Sequence, residues 1–584
     1  MKLKTSLIAG AALAVCSISS FAATSAGPNL SLCTAAALAT PVTSAAAAEA
    51  IVQNCAPAAT LFIGGASTMS GNLPLVLPTA VFDTTKMTPI VITDKGSLTG
   101  SPSVANASGN VNGYLGVAQS TVKGVGGQLV FVVYNFNNGS AGGVSQLLGK
   151  LPKLSAMSGV TQNANKSWNF GTASATAIPE ADVVFVGPTA TGAAAQTTPG
   201  TKAANAFCGT TGSGFATAAT TFAGIATYNV SCTSHNVLQA DLALSDARAE
   251  ELYAVYPAAA GGKLSTLVEQ PLFVESFGVV VSAPLYAALQ EKTFGVGNAC
   301  ISNYTSAACQ PSISRADYTS LIMSGGSIKQ LSDLVGATNQ TAAAAISSGA
   351  VLHVARRDDL SGTQAASNIY FANGQCGGND RESSAVTIDG NNIANAYFGA
   401  KSIDVAVAKA GGLLGGLAIR TNGDAEAASI PGLDIQINPT SGQVKSAVNS
   451  TSNYVIGVVG VGGGNLSSAI APSNGYFIKV DGMSPNADNQ GNFQNKVAVF
   501  NQLSSGAYNF ATVMHAIYTT AEEKSTNFPM VQAVINGFQN STLTNLSGIA
   551  YLDGSTSGVA ARQSHVTRVD SNNKPNNCAP LHRL

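Results

Sequence analysis

Three times along this chain, a short run of branched and aromatic residues ends in a turn of glycine and serine. Each turn then opens onto a stretch patterned for a helix. The runs are Ala59–Ile63, Gln128–Tyr134 and Val351–Ala355. The turns are Gly64-Gly65-Ala66-Ser67-Thr68, Asn138-Gly139-Ser140-Ala141-Gly142-Gly143 and Arg356-Arg357-Asp358-Asp359-Leu360-Ser361-Gly362-Thr363. A strand that feeds a helix through a tight turn is the unit of α/β proteins, and its repetition excludes all-helical and all-strand architectures.

Further continuous apolar runs predict strands over 182–186, 272–281 and 454–461. Unbroken Val/Ile/Phe runs suit strands covered on both faces, as in parallel sheets. Helices are expected over 142–148, 245–254, 314–323, 363–371 and 528–538. Ser525 or Thr526 would cap the last of these, with Pro529 in its first turn. Segments 148–180, 187–235 and 421–450 are rich in Gly, Thr, Ala and Asn and read as insertions or long loops. A length of 584 residues exceeds one ordinary core, so two or more lobes are expected.

The first residues carry an export signal. Lys2 and Lys4 precede an apolar stretch from Leu7 to Val15, and Ser20-Phe21-Ala22 gives small residues at a cleavage site after Ala22. Leu13-Ala14-Val15-Cys16 offers a lipidation reading, against which the bulky Val15 stands. The apolar stretch falls short of the roughly 20 residues that span a bilayer, and no later segment reaches that length. The expected compartment is periplasmic or secreted, with no membrane span after signal removal. Eight cysteines then remain, an even number that suggests disulfides in an exported chain. Neighbours in sequence pair as Cys33 with Cys55, Cys208 with Cys232 and Cys300 with Cys309, which leaves Cys376 for Cys578. No C-x-x-C occurs and the five histidines are scattered, so no metal site is expected.

Charged residues make up 10% of the chain, where about 25% is usual. Of 28 basic residues, Lys2 and Lys4 leave with the signal, so 26 stand against 29 acidic ones. A surface of that balance gives nucleic acid no basic footprint. No G-x-S-x-G or H-E-x-x-H occurs, so no catalytic residue is assigned and the chain is read as a non-enzyme. Gly460-Val461-Gly462-Gly463-Gly464 lacks the spacing of a dinucleotide turn, and no cofactor is expected.

The three turns share one chemistry. A helix N-terminus offers free backbone N–H groups, small residues allow close approach, and serine or threonine adds a hydroxyl donor; together these make an anion site. The third turn adds arginine, whose planar fork suits a tetrahedral oxyanion. Two plainer readings stay open. Arg357 could pair with Asp358 or Asp359, and Asp246, in Ser245-Asp246-Ala247, could cap a helix.

In order along the mature chain, these residues resemble the periplasmic phosphate-binding proteins of ABC importers. The first turn is similar to that family's opening glycine-rich turn, with ligand hydroxyls on Ser67 and Thr68. Tyr134 to Gln146 resembles its second turn, with Ser140 as ligand. Ala240 to Asp246 resembles its aspartate segment, and Val354 to Thr363 is the closest match, carrying Arg357, Asp359, Ser361, Gly362 and Thr363. Gln270 to Val281 and Gly506 to Phe510 resemble the two interlobe crossovers. The resemblance implies an α/β, two-lobed type 2 periplasmic binding protein-like fold with mostly parallel sheets and a ligand cleft between the lobes. The implied organisation is a signal at 1–22, an N-terminal extension at 23–58, the first part of lobe I at 59–277 with an insertion near 148–236, lobe II at 278–505, and a return to lobe I with a tail at 506–584.

The implied partners are inorganic phosphate or a similar oxyanion and an ABC permease. Asp246 and Asp359 would favour an anion that still carries a proton, as hydrogen phosphate does and sulfate does not. A second reading remains beside this one. The low charge and long Asn/Gly/Thr segments also suit a secreted or surface structural or adhesive protein that reuses the fold.

Overall fold

The computed structural model describes residues 44–93, 111–136, 139–147, 240–249, 266–323, 326–357, 361–372, 430–438, 441–461, 475–487 and 506–540, with shorter pieces elsewhere. The signal, the strand expected over 182–186, and Asp358, Asp359, Cys208, Cys232, Cys376 and Cys578 lie outside the described residues.

The fold is α/β and two-lobed, and it is built on one long sheet. The first lobe holds β1 (Ala59–Gly65), β2 (Ile90–Thr93), β3 (Val111–Val117), β4 (Leu129–Asn135), β5 (Ala216–Phe222), β6 (Ile225–Ser231) and β7 (Leu242–Ser245). Strand β8 (Leu267–Val281) leads into the second lobe, which holds β9 (Leu352–Arg357), β10 (Leu433–Asn438) and β11 (Tyr454–Gly460). Strand β12 (Ala511–Thr519) returns to the first. Their spatial order is β10-β9-β11-β8-β12-β7-β1-β4-β3-β2-β6-β5.

Parallel pairing joins β7, β1 and β4 in the first lobe and β10, β9 and β11 in the second. The crossing strands are antiparallel. The first part of β8 pairs with β12, and its last part, Phe277–Val281, pairs with β11. One strand thus belongs to both lobes.

Each lobe has its own core. In the first, α2 (Leu73–Ala80) and α8 (Phe528–Gln539) cover the sheet. Helix α8 buries Met530, Val531, Val534, Ile535 and Phe538, which share one face at helical spacing. Each such side chain contributes about 1.5–3 kcal/mol by burial, and a charge at Val534 would break the face. Asn527, not Ser525 or Thr526, precedes this helix, because Ser525 instead donates to Glu522 and accepts from the Asn527 N–H. The second core gathers α4 (Ala283–Phe294), α5 (Arg315–Ile322) and α6 (Gly362–Ala372) around Phe277, Val279, Ile456 and Phe510. Ser314 caps α5 by accepting from the Asp317 N–H at 2.9 Å.

Two disulfides are present among the described residues, Cys33–Cys55 and Cys300–Cys309. The first pins α1 (Ala45–Asn54) beside the outer face of β4, where Ile51, Val52, Phe131 and Val133 pack together.

Three expectations need correction. The stretch 421–450 holds β10 and α7 (Ser441–Val448), and 187–235 holds β5 and β6. Their polar composition hid the strand alternation of Leu433-Asp434-Ile435-Gln436-Ile437-Asn438. The helix expected from Ser245 does not form over the described residues. Ser245 ends β7 and residues 246–249 bend away, because the Ser245 hydroxyl bonds locally to the Ala247 backbone. Finally, the first turn opens a short 3₁₀ segment, Ser67–Ser70, before α2 begins.

Candidate functional site

Five turns converge, and each follows the C-terminal end of a strand in a parallel pair. Ser67 and Thr68 follow β1, Ser140 follows β4, and Asp246 follows β7. Ser361 to Thr363 follow β9, and Ser441 follows β10. Carboxyl ends of parallel strands are where open α/β sheets present their ligand crevices.

Close approach in the first turn depends on glycine. Gly65 has φ of +135°, and a methyl there would lie 1.9 Å from the Leu244 carbonyl oxygen. This lets β1 and β7 bring Thr68 and Asp246 together. Thr68 donates to one Asp246 oxygen at 2.8 Å. Thr363, from the second lobe, donates to the other at 3.3 Å. The Asp246 N–H donates to Ser140 Oγ at 3.0 Å. All four side chains are buried.

Asp246 therefore does not cap a helix: both carboxylate oxygens are taken by hydroxyls. Burial pushes its carboxyl up to about 6, while Thr68, the Arg357 charge and Thr363 pull the other way.

Arg357 faces it from the second lobe, buried to 2% exposure. Its Nη1 donates to Ser441 Oγ at 2.6 Å and reaches Ser67 Oγ at 3.5 Å, and its Nε donates to the Asn438 carbonyl at 3.1 Å. Ser67 and Ser441 also stand 3.5 Å apart, so this trio bridges the lobes. Ser361 Oγ accepts from the Gln364 N–H at 3.4 Å and so caps α6. Gly362 lies against the first lobe. A methyl on it would meet Ser140 Oγ at 2.1 Å and the Asp246 Cβ at 2.7 Å.

The sequence-predicted residues Ser67, Thr68, Ser140, Asp246, Arg357, Gly362 and Thr363 are thus brought together, with Ser361 at the neighbouring helix start. Asp359 lies outside the described residues. Three participants escaped the sequence reading. Ser441 and Asn438 sit in a segment taken for a loop. Glu275 sits in an apolar strand, Phe273-Val274-Glu275-Ser276-Phe277, where a lone charge was a legible signal. It is fully buried, and its carboxyl is pushed well above the ordinary range by burial and by Asp246.

No helix among the described residues is long and apolar enough to cross a membrane. No protein-family model matches the sequence, and no curated protein matches it. Among solved structures, the chain is similar to a phosphate binding protein from Stenotrophomonas maltophilia, with 16% identity and a TM-score of 0.27, over 52% of this chain and 69% of that one. It is also similar to an ABC-type phosphate transport receptor from Vibrio cholerae, with 11% identity and a TM-score of 0.25, over 52% of this chain and 75% of that one. At such distance no residue's role follows from the likeness.

Proposed function

We propose that this chain is an exported solute-binding protein, not an enzyme, that captures an inorganic oxyanion between its lobes, and that the anion is hydrogen phosphate. The observation that carries the reading is the pairing of a buried guanidinium on one lobe with a buried, hydroxyl-lined carboxylate on the other. Arg357, the hydroxyls of Ser67, Ser140 and Ser361, and the Gly362 N–H would donate to the anion's oxygens, while Thr68 and Thr363 hold Asp246 in place. Asp246 would accept the proton that hydrogen phosphate still carries, and Asp359 is assigned the same kind of role.

Sulfate has no such proton. An ionised carboxylate left facing its oxygens costs roughly the 3–5 kcal/mol of a broken buried pair. The site would therefore reject sulfate by repulsion as well as prefer phosphate by contact.

Calorimetric titration with phosphate and with sulfate tests this directly, after unfolding and refolding to remove any carried ligand. Binding of phosphate with sulfate at least a hundredfold weaker is expected. If neither anion binds, the clamp reading is wrong and the structural or adhesive reading takes its place.

A further inference from the structure

We propose that Glu275, in the strand that passes from the first lobe to the second, is a specificity-determining residue that keeps its proton so that Asp246 carries the negative charge at the site. This rests on the oxyanion reading above.

The geometry is that of two carboxyls with unequal support. Asp246 has Thr68 and Thr363 as donors and Arg357 as a nearby cation. Glu275 has no solvent exposure, and among the described residues neither of its oxygens meets a hydrogen-bond donor in good geometry. Thr68 stands beside it but is committed to Asp246. Gly460 of β11 shows how closely the groups crowd. A methyl there would lie 2.7 Å from Thr68 Cγ2 and 3.1 Å from Glu275 Oε1. From β12, the register partner of Glu275 is Thr512, a buried hydroxyl with no hydrogen-bond partner among the described residues. Among the described residues, the titratable groups that interact with Glu275 are Asp246 and the buried Tyr134 of β4.

Two carboxyls in one dry site do not both ionise readily, and the better-solvated one takes the charge. Here the hydroxyls and Arg357 decide for Asp246. Burial and the Asp246 charge both hold Glu275 in its neutral form. Asp246 then stays an acceptor for the anion's proton. Once Glu275 loses its own proton to alkaline solvent, a second negative charge faces the anion and binding weakens. Glu275 also lies in the strand shared by both lobes, so its charge acts where the lobes are joined.

The test uses the full mature chain, its Glu275→Gln variant and a Glu275→Met variant that is neutral without hydrogen-bonding capacity. Inorganic phosphate is titrated over a pH series alkaline of its second ionisation, where its own charge is constant. Wild-type affinity should fall at least tenfold toward the alkaline end, and both variants should stay flat. Ligand-free thermal unfolding over pH is the second readout. The unfolded glutamate ionises near about 4.3, while the folded one keeps its proton. Above that pH the unfolded state binds fewer protons, so wild-type stability declines as pH rises. The variants lack the Glu275 part of this decline, so their advantage should open above about pH 4 and close below it. Variants that parallel wild type in both series overturn the proposal. If stability diverges but wild type binds no phosphate, the oxyanion reading and the specificity role fail together, and only the neutral state of Glu275 survives. If phosphate binds but the alkaline decline persists in both variants, the oxyanion reading stands and Glu275 is not its determinant.

Discussion

The two lobes present the same kind of turn and opposite kinds of charge. The first lobe brings Asp246, held by Thr68 and by the contact of its N–H with Ser140. The second brings Arg357, held by Ser441 and the Asn438 carbonyl. In each, small residues at the ends of parallel strands do the positioning. The difference teaches where selectivity resides. On the proposed reading, the Arg357 guanidinium attracts any oxyanion, whereas Asp246 in the first lobe, with Asp359 given the same role in the second, tells a protonated oxygen from a bare one. Contacts between the lobes run through the same groups, namely Thr363 to Asp246 and Arg357 to Ser67.

That division can be broken most sharply at Arg357. Replacing it by Ala removes the cation and leaves Asp246 buried without it. Truncating the cationic partner of a buried, hydrogen-bonded anion costs about 2–5 kcal/mol. Phosphate affinity, measured by calorimetry, should therefore fall by at least tenfold, since 1.4 kcal/mol is about one decade. Sulfate affinity should fall alongside it, because the guanidinium donates to either anion alike.

Asp246→Asn should act on the difference between the anions. The amide no longer repels a bare oxygen, so sulfate should gain on phosphate by roughly the 3–5 kcal/mol set by the unpaired charge. Wild type should lose the same discrimination reversibly as pH falls through about 6, where Asp246 takes up a proton. The folded value lies above the ordinary 3.8, so the folded protein binds more protons between the two. Ligand-free stability should accordingly decline as pH rises from about 4 through about 6. Asp246→Asn should show a shallower decline than wild type over that window in thermal unfolding.

Gly362→Ala sharpens the comparison at the contact between lobes. The added methyl would sit 2.1 Å from Ser140 Oγ, so the lobes must part or Ser140 must move. Overpacking of this kind costs about 1–3 kcal/mol. The cost should show in ligand affinity more than in the unfolding temperature, since each lobe keeps its own core. Ser441→Ala should be the mildest change. It removes one hydrogen bond from Arg357, worth about 1.5–3 kcal/mol at most for a charged donor. Titration of phosphate should show weaker binding with sulfate discrimination intact.

Much of the site was readable in the chain, and what was missed has a physical cause. Arg357, Ser361, Gly362 and Thr363 lie in one turn, so a single stretch announces them. Ser140 and Thr68 were marked by their glycines. Ser441 was hidden because Pro439, Thr440 and Gly442 look like loop, and only the pairing of β10 with β9 makes that turn part of the site. Glu275 was passed over because apolar neighbours set the reading of its strand. Asp246 was marked by resemblance, and the helix expected from Ser245 does not form over the described residues.

The sequence by itself determined most local units: which apolar runs become strands, where glycine must allow a close approach, and that more than one core would be needed. Those choices depend on neighbours a few residues apart, which the chain order displays. Only the tertiary structure decided that Thr68 and Thr363, far apart in the chain, donate to the two oxygens of one carboxylate, and that β8 serves both lobes. It also decided that Glu275 stands beside that carboxylate. Burial and the field of a neighbouring charge depend on which distant segments pack together, and side-chain identity alone does not carry that information.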